Sequence, residues 1–155
     1  MVREIRVPRI FFASAGLLFV HLALGCMSAN PSLPNSTTSA IIGEWRQVTL
    51  RLGDESKTCP TYFIAADGDQ ISCSSHDTVE FKLDGTFIAK FSGSDIQAVG
   101  SWRLNGSTLL ITFATPPEVA GINRSSTVEV GQDAKTITIK SINGNMSIAE
   151  TYVRE

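Results

Sequence analysis

The sequence predicts an all-β protein: an up-and-down antiparallel barrel of eight strands, preceded by an export signal and a tether. Three observations carry that prediction. From Ile41 onward, Asp-Gly and Asn-Gly pairs sit between β-rich runs; apolar and polar residues alternate around those pairs; and no segment carries a sustained helical period. Asp-Gly and Asn-Gly suit the positive φ angles of a type I′ turn, the strongest short-range hairpin signal. Alternation with a period of two marks strands that are buried on one face only.

Taken in order, the main strands are expected near residues 41–52, 78–83, 86–91, 98–104, 107–114, 125–130, 135–142 and 145–153. Val79, Phe81 and Leu83 share one face, with Glu80 and Lys82 on the other. Leu109, Ile111 and Phe113 oppose Thr108 and Thr112, and Ile137 and Ile139 alternate with Thr136, Thr138 and Lys140. Ile88 and Leu110 fall out of phase and are expected to face outward. A smaller hairpin, near 61–66 and 70–74, turns at Asp67-Gly68, and "TPPEVAG" (Thr115 to Gly121) has room for one turn of helix. Sequential strands joined by tight turns favour a closed barrel, which leaves no open sheet edges. A β-sandwich is the alternative.

The first 25 residues read differently. Arg3, Arg6 and Arg9 precede an apolar run from Ile10 to Gly25 broken only by Ser14 and His21. That run is shorter than the ~20 apolar residues a spanning helix needs, and the basic flank and small residues before a cut match a secretory signal. Without Arg3, Arg6, Arg9 and Glu4, the 13 basic and 15 acidic residues become 10 and 14, a net charge of −4. No basic patch remains for phosphate-driven nucleic-acid binding. Residues 41–155 suffice for one domain with one core.

"LALGC" ahead of Cys26 resembles the lipobox of bacterial lipoproteins, with Leu24 where a smaller residue is commoner. That resemblance implies a cleaved signal over residues 1–25 and a diacylglyceryl-modified, acylated (palmitate-type) Cys26 at the new N-terminus. Several acyl chains on one cysteine anchor stably, at about 0.8 kcal/mol per buried methylene. With Met27 rather than Asp next, the resemblance points to the outer membrane, facing the periplasm. Residues 26–40, rich in Ser, Thr, Asn and Pro, bury almost nothing and read as a tether. Cys59 and Cys73 then remain as an even pair in an oxidising compartment, and a disulfide closing ~15 residues contributes about 3 kcal/mol.

"IIGEWRQV", "FKLDGTF" and "GSWRLNGSTLLI" resemble the lipocalin-like domains of small bacterial lipoproteins. The resemblance implies that Gly43 and Trp45, as a Gly-x-Trp pair, close one end of the barrel; Gly100 to Trp102 echoes the pair. It also implies an arginine packed on that tryptophan, and Arg154 is a candidate. Phe81, Phe87, Phe91, Trp102 and Phe113 are expected to point inward, either filling the barrel or lining an apolar cavity for one small ligand.

Catalytic and metal chemistry have little to build on. His76 stands beside Asp77 in "SSHDT", but neighbours on a strand point apart and a triad is defined in space. Its spacing to Cys59 and Cys73 fits no zinc pattern, and "DGDQ" (Asp67 to Gln70) lacks the later carboxylate of a calcium loop. The expectation is a non-catalytic binding module without cofactor or metal, held at the membrane by Cys26, taking a small apolar or amphipathic ligand. The alternative is an inhibitor or adaptor that binds an envelope protein or protease. The compact periplasmic metalloprotease inhibitors, which share a Gly-x-Trp start and one disulfide, resemble that second form. Replacing Cys26 by Ser should move the protein from the membrane fraction to the soluble fraction of its host; retention at the membrane would overturn the lipid anchor.

Overall fold

The computed structural model describes residues 36–65, 68, 70–92 and 97–155. The signal, Cys26, the first part of the tether and Asp67 lie outside the described residues. One short helix, α1 (Ser36–Ile41), leads into β1 (Gly43–Leu52), followed by β2 (Glu55–Thr58), β3 (Thr61–Ile64), β4 (Gln70–Cys73), β5 (Thr78–Phe81) and β6 (Thr86–Lys90). Then come β7 (Gln97–Asn105), β8 (Thr108–Thr115), β9 (Asn123–Val130), β10 (Thr136–Asn143) and β11 (Met146–Arg154). Each of β5 to β11 pairs antiparallel with the next; β1 pairs with β5 on one side and β11 on the other, closing an eight-stranded barrel. The barrel predicted from the turns is the fold observed, and the sandwich is not.

The turns differ from expectation in type. In two hairpins, Asn105 pairs with Thr108 and Asn143 with Met146, so the central residues are Gly106-Ser107 and Gly144-Asn145. Only the glycines take positive φ, +60° and +59°. A type II′ turn asks for glycine at its first central position, whereas type I′ needs positive φ at both. The Asn-Gly signal thus places the hairpins correctly and the turn centre one residue early. Leu83 also departs from the reading: it sits in the β5–β6 turn, where Gly85 N–H bonds Lys82 C=O, and is 75% exposed rather than inward.

Two elements were not expected. β2, "ESKT", pairs along the second half of β1 and has no apolar alternation to betray it. Helix α1 occupies residues read as tether up to Ala40. Six residues form no stable helix alone. This one is held by tertiary bonds from its C-terminal end: Trp45 Nε1–H donates to Ile41 C=O at 2.7 Å, and the Arg154 guanidinium donates to Ala40 C=O at 2.6 Å and Ile42 C=O at 2.8 Å. Ile41 is fully buried. The turn anticipated in "TPPEVAG" is present, with Val119 N–H bonded to Pro116 C=O.

The inward residues fall into two apolar clusters. The larger contains Ile41, Trp45, Val79, Phe81, Phe87, Trp102, Leu109, Ile111, Val128, Ile137, Ile139 and Tyr152 among others. The smaller joins Leu50 and Ile148 of the barrel to Phe63 and Cys73 of the β3–β4 hairpin, with Leu52, Cys59 and Ile71 at its edge. Cys59 and Cys73 form the expected disulfide, with Cα atoms 5.5 Å apart.

Arg154 carries the closure of one end, since its charge satisfies helix carbonyls and lies 4.2 Å over the Trp45 ring. Arg154→Ala should cost about 2 kcal/mol, lowering Tm by roughly 6–10 °C. Thermal denaturation followed by tryptophan fluorescence reads this, and an unchanged Tm would refute the role.

Candidate functional site

The two ends of the barrel are built differently. At the end where β1 begins, Trp45 and Ile41 are fully buried and Arg154 seals the approach. Gly43 makes that arrangement possible. It sits at φ +129°, and a Cβ there would lie 2.8 Å from Arg154 Nη1. The Gly-x-Trp pair therefore has a steric reason: glycine admits the arginine that packs on the tryptophan.

Above that seal the barrel is filled by aromatic rings. Phe81 lies 5.5 Å from Phe87 and 5.4 Å from Trp102, centroid to centroid, and Phe87 lies 5.9 Å from Phe113. Edge and tilted contacts at these separations are favourable ring geometries. Trp102 Nε1–H donates to Lys82 C=O at 3.0 Å, which fixes the indole. So Phe81, Phe87 and Trp102 are buried and in contact, and Phe113 is packed against them half-buried. Phe91 is a correction: it follows the last residue of β6 and is 51% exposed, outside the group. β6 ends at Lys90, so alternation beyond it carries no information about facing. Ile88 and Leu110 lie opposite Glu80 and Arg103 on the outer face, as their phase requires, and are half-buried there.

Between the two apolar clusters lies a polar layer. Arg124 of β9 donates to Ser141 Oγ of β10 at 2.9 Å and to Glu150 Oε2 of β11 at 3.0 Å. Tyr152 follows Glu150 by two residues on β11, on the same inward face. Burial pushes the Tyr152 phenol well above its ordinary range; the Glu150 and Asp77 charges push the same way, and Arg124 opposes them. The phenol therefore stays protonated. Across β1 and β11, Gln47 faces Tyr152 and Leu50 faces Glu150. Gln47 is 5% exposed, and its Nε2 has no partner among the described residues; Ser126, opposite Leu109 on β8, is 6% exposed, and its Oγ has none either. An unpaired buried polar group costs about 1–3 kcal/mol.

None of Gln47, Arg124, Ser126, Glu150 and Tyr152 was singled out from sequence. The available signal was phase: Gln47 follows Trp45 by two on one strand, and Glu150 precedes Tyr152 by two on another. Only the closed ring of strands brings them together.

The mouth opposite the seal is covered by the β3–β4 hairpin, which packs Phe63 and Cys73 onto Leu50 and Ile148. Its foot is pinned where Cys59 N–H donates to Val48 C=O at 2.9 Å. Val48 is the residue passed over where the β1–β11 register shifts between Gln47 and Thr49. Its return is pinned by Asp77, whose carboxylate accepts from Ser74 N–H and Ser92 N–H, both at 2.7 Å, while its C=O accepts from Gln47 N–H at 2.9 Å. Both carboxylate oxygens thus serve as turn acceptors, and Asp77 orients no imidazole. Among the described residues, His76 Nδ1 is within hydrogen-bond distance of the neighbouring Ser75 Oγ alone, at 3.2 Å. Among the described residues no His, Cys, Asp and Glu converge on a metal-binding geometry.

No protein-family model matches the chain, and no curated protein matches it. Two solved structures are similar to it. One is a DUF4847 family protein from Bacteroides vulgatus, with 15% identity over 74% of this chain and 94% of that one, at a TM-score of 0.43. The other is an uncharacterized protein from Bacteroides eggerthii, with 16% identity over 72% and 98%, also at 0.43.

The buried phenol gives a pH prediction. A raised folded-state pKa means that the folded protein holds this proton more tightly than the unfolded chain. The resulting stability is complete below about pH 10, the ordinary tyrosine value, and is lost as pH rises through the folded pKa. With Tyr62→Phe, so that Tyr152 is the remaining tyrosine, phenolate absorbance should grow only together with the loss of native tryptophan fluorescence. Ionisation near pH 10 with native fluorescence intact would contradict the burial.

Proposed function

We propose that this protein is a membrane-anchored, non-catalytic binding module of the bacterial envelope that receives an apolar or amphipathic small molecule through the hairpin-covered mouth. The observation that carries this reading is the asymmetry of the two ends. One is sealed by α1, Trp45 and Arg154; the other is covered only by a small hairpin with its own apolar cluster. Beneath that hairpin the interior turns from aromatic packing to polar groups, a combination that suits a molecule with an apolar body and a polar end. Anchoring through Cys26 supports the same reading, because a bilayer is both the source of and the sink for such molecules.

A second reading, a protein-binding inhibitor or adaptor, is favoured by a different observation. Tyr62 and Ile64 on the outer face of the hairpin, Phe91 after β6 and Ile142 on β10 are all more than half exposed, and all lie at the mouth end. Apolar side chains gathered at one end are the composition of a docking surface.

Native mass spectrometry of the protein, gently extracted from its host membranes, separates the two. Release of a small amphipathic molecule on denaturation is the expected result. A barrel that leaves with a second polypeptide and no small molecule would replace the carrier by the adaptor.

A further inference from the structure

We infer that Gln47 and Ser126, with the neutral Tyr152–Glu150–Arg124 group, form a head-group subsite for an uncharged, hydrogen-bonding amphiphile, reached by displacement of the disulfide-stapled hairpin. This rests on the carrier reading above and adds what the site selects. The first support is the pair of unpartnered groups. Gln47 and Ser126 share the inward phase of Trp45 and Val128 on their strands, each is more than nine-tenths buried, and Gln47 Nε2 and Ser126 Oγ are without a partner among the described residues. An amide N–H asks for an acceptor oxygen, and a hydroxyl can give or take, so the carbonyl and hydroxyl groups of a ligand head suit either one.

The second support is the charge balance. Arg124 is already paired with Glu150, at 3.0 Å, so its charge is not free to hold an anion. Gln47 faces Tyr152 across β1 and β11, and Glu150 stands two residues along β11 from that phenol, so a buried anionic head beside Gln47 meets a carboxylate and finds the nearby cation already engaged. The site thus disfavours a free carboxylate and accepts a neutral ester, amide or glyceryl head, while the half-buried Phe113 and the small inward side chains Ala89 and Ala98 offer the apolar wall.

The third support is the cover. Gln47 Nε2 is buried, and the hairpin packs on Leu50, the next inward residue of β1, so a route to Gln47 from the mouth passes the hairpin. The hairpin meets the barrel through a cluster separate from the main core, and Cys59–Cys73 keeps its two strands together when it does.

The test uses the full chain in lipid nanodiscs with two photoreactive probes, a monoacylglycerol and the matching fatty acid, each carrying a diazirine in its acyl chain. Expected is labelling inside the barrel by the monoacylglycerol, displaced by its unlabelled form, with the fatty acid at least tenfold weaker. Gln47→Leu should weaken apparent affinity about tenfold while raising the Tm of the unliganded protein, since it removes an unpaired buried donor. Ser126→Ala is the second, milder variant and keeps the test decisive if the first misfolds. Labelling of the barrel that both variants leave unchanged, or that favours the fatty acid, overturns the head-group subsite and leaves the carrier reading standing. Failure of both probes to label the wild-type barrel overturns the carrier reading itself.

Discussion

The contact between Arg154 and Trp45 is the constraint on which the rest of the barrel depends. One guanidinium, carried by the last strand, lies over the indole of the first and donates to carbonyls on both sides of the α1–β1 junction. A closed barrel has no edge, but its first and last strands must still find each other across the length of the chain. Here the β1–β11 ladder does this from Trp45 to Leu52, and the arginine fixes its start. The same residue converts six residues of polar leader into a helix, because a short helix forms only where its end groups find partners.

With one end sealed, the polar layer acquires meaning. Arg124 and Glu150 satisfy each other, Ser141 joins them and Tyr152 stands beside Glu150, and the outcome is a neutral group placed between aromatic packing below and the hairpin cluster above. A half-buried ion pair of this kind contributes little net stability, since desolvation offsets the attraction. Two unpartnered polar atoms in the same wall work against stability. A barrel built for stability alone would carry apolar side chains at Gln47 and Ser126, as its neighbours Trp45 and Val128 do.

The cover over this layer is held by three kinds of contact: a disulfide within the hairpin, an apolar cluster beneath it, and backbone bonds at its two feet. Asp77 ties the returning foot to both β1 and the end of β6. That role also explains why a histidine, a serine and an aspartate adjacent in sequence form no triad, because the carboxylate is already occupied by two backbone amides.

The sequence by itself determined the eight barrel strands, the small hairpin and their order. Alternation on one face and glycine at each reversal are local properties, and local physics decides them. It also carried the Cys59–Cys73 pairing, through the even count left once Cys26 is set aside. Phe91 and Leu83 were misread because alternation loses its meaning one residue past a strand's end, and β2 was missed because a polar edge strand has no apolar phase. Only the tertiary structure decided which inward positions meet. Gln47, Ser126, Arg124, Glu150 and Tyr152 come from three strands spread over more than 100 residues. Their juxtaposition follows from register around a closed ring, where a shift of one residue turns every side chain to the other face.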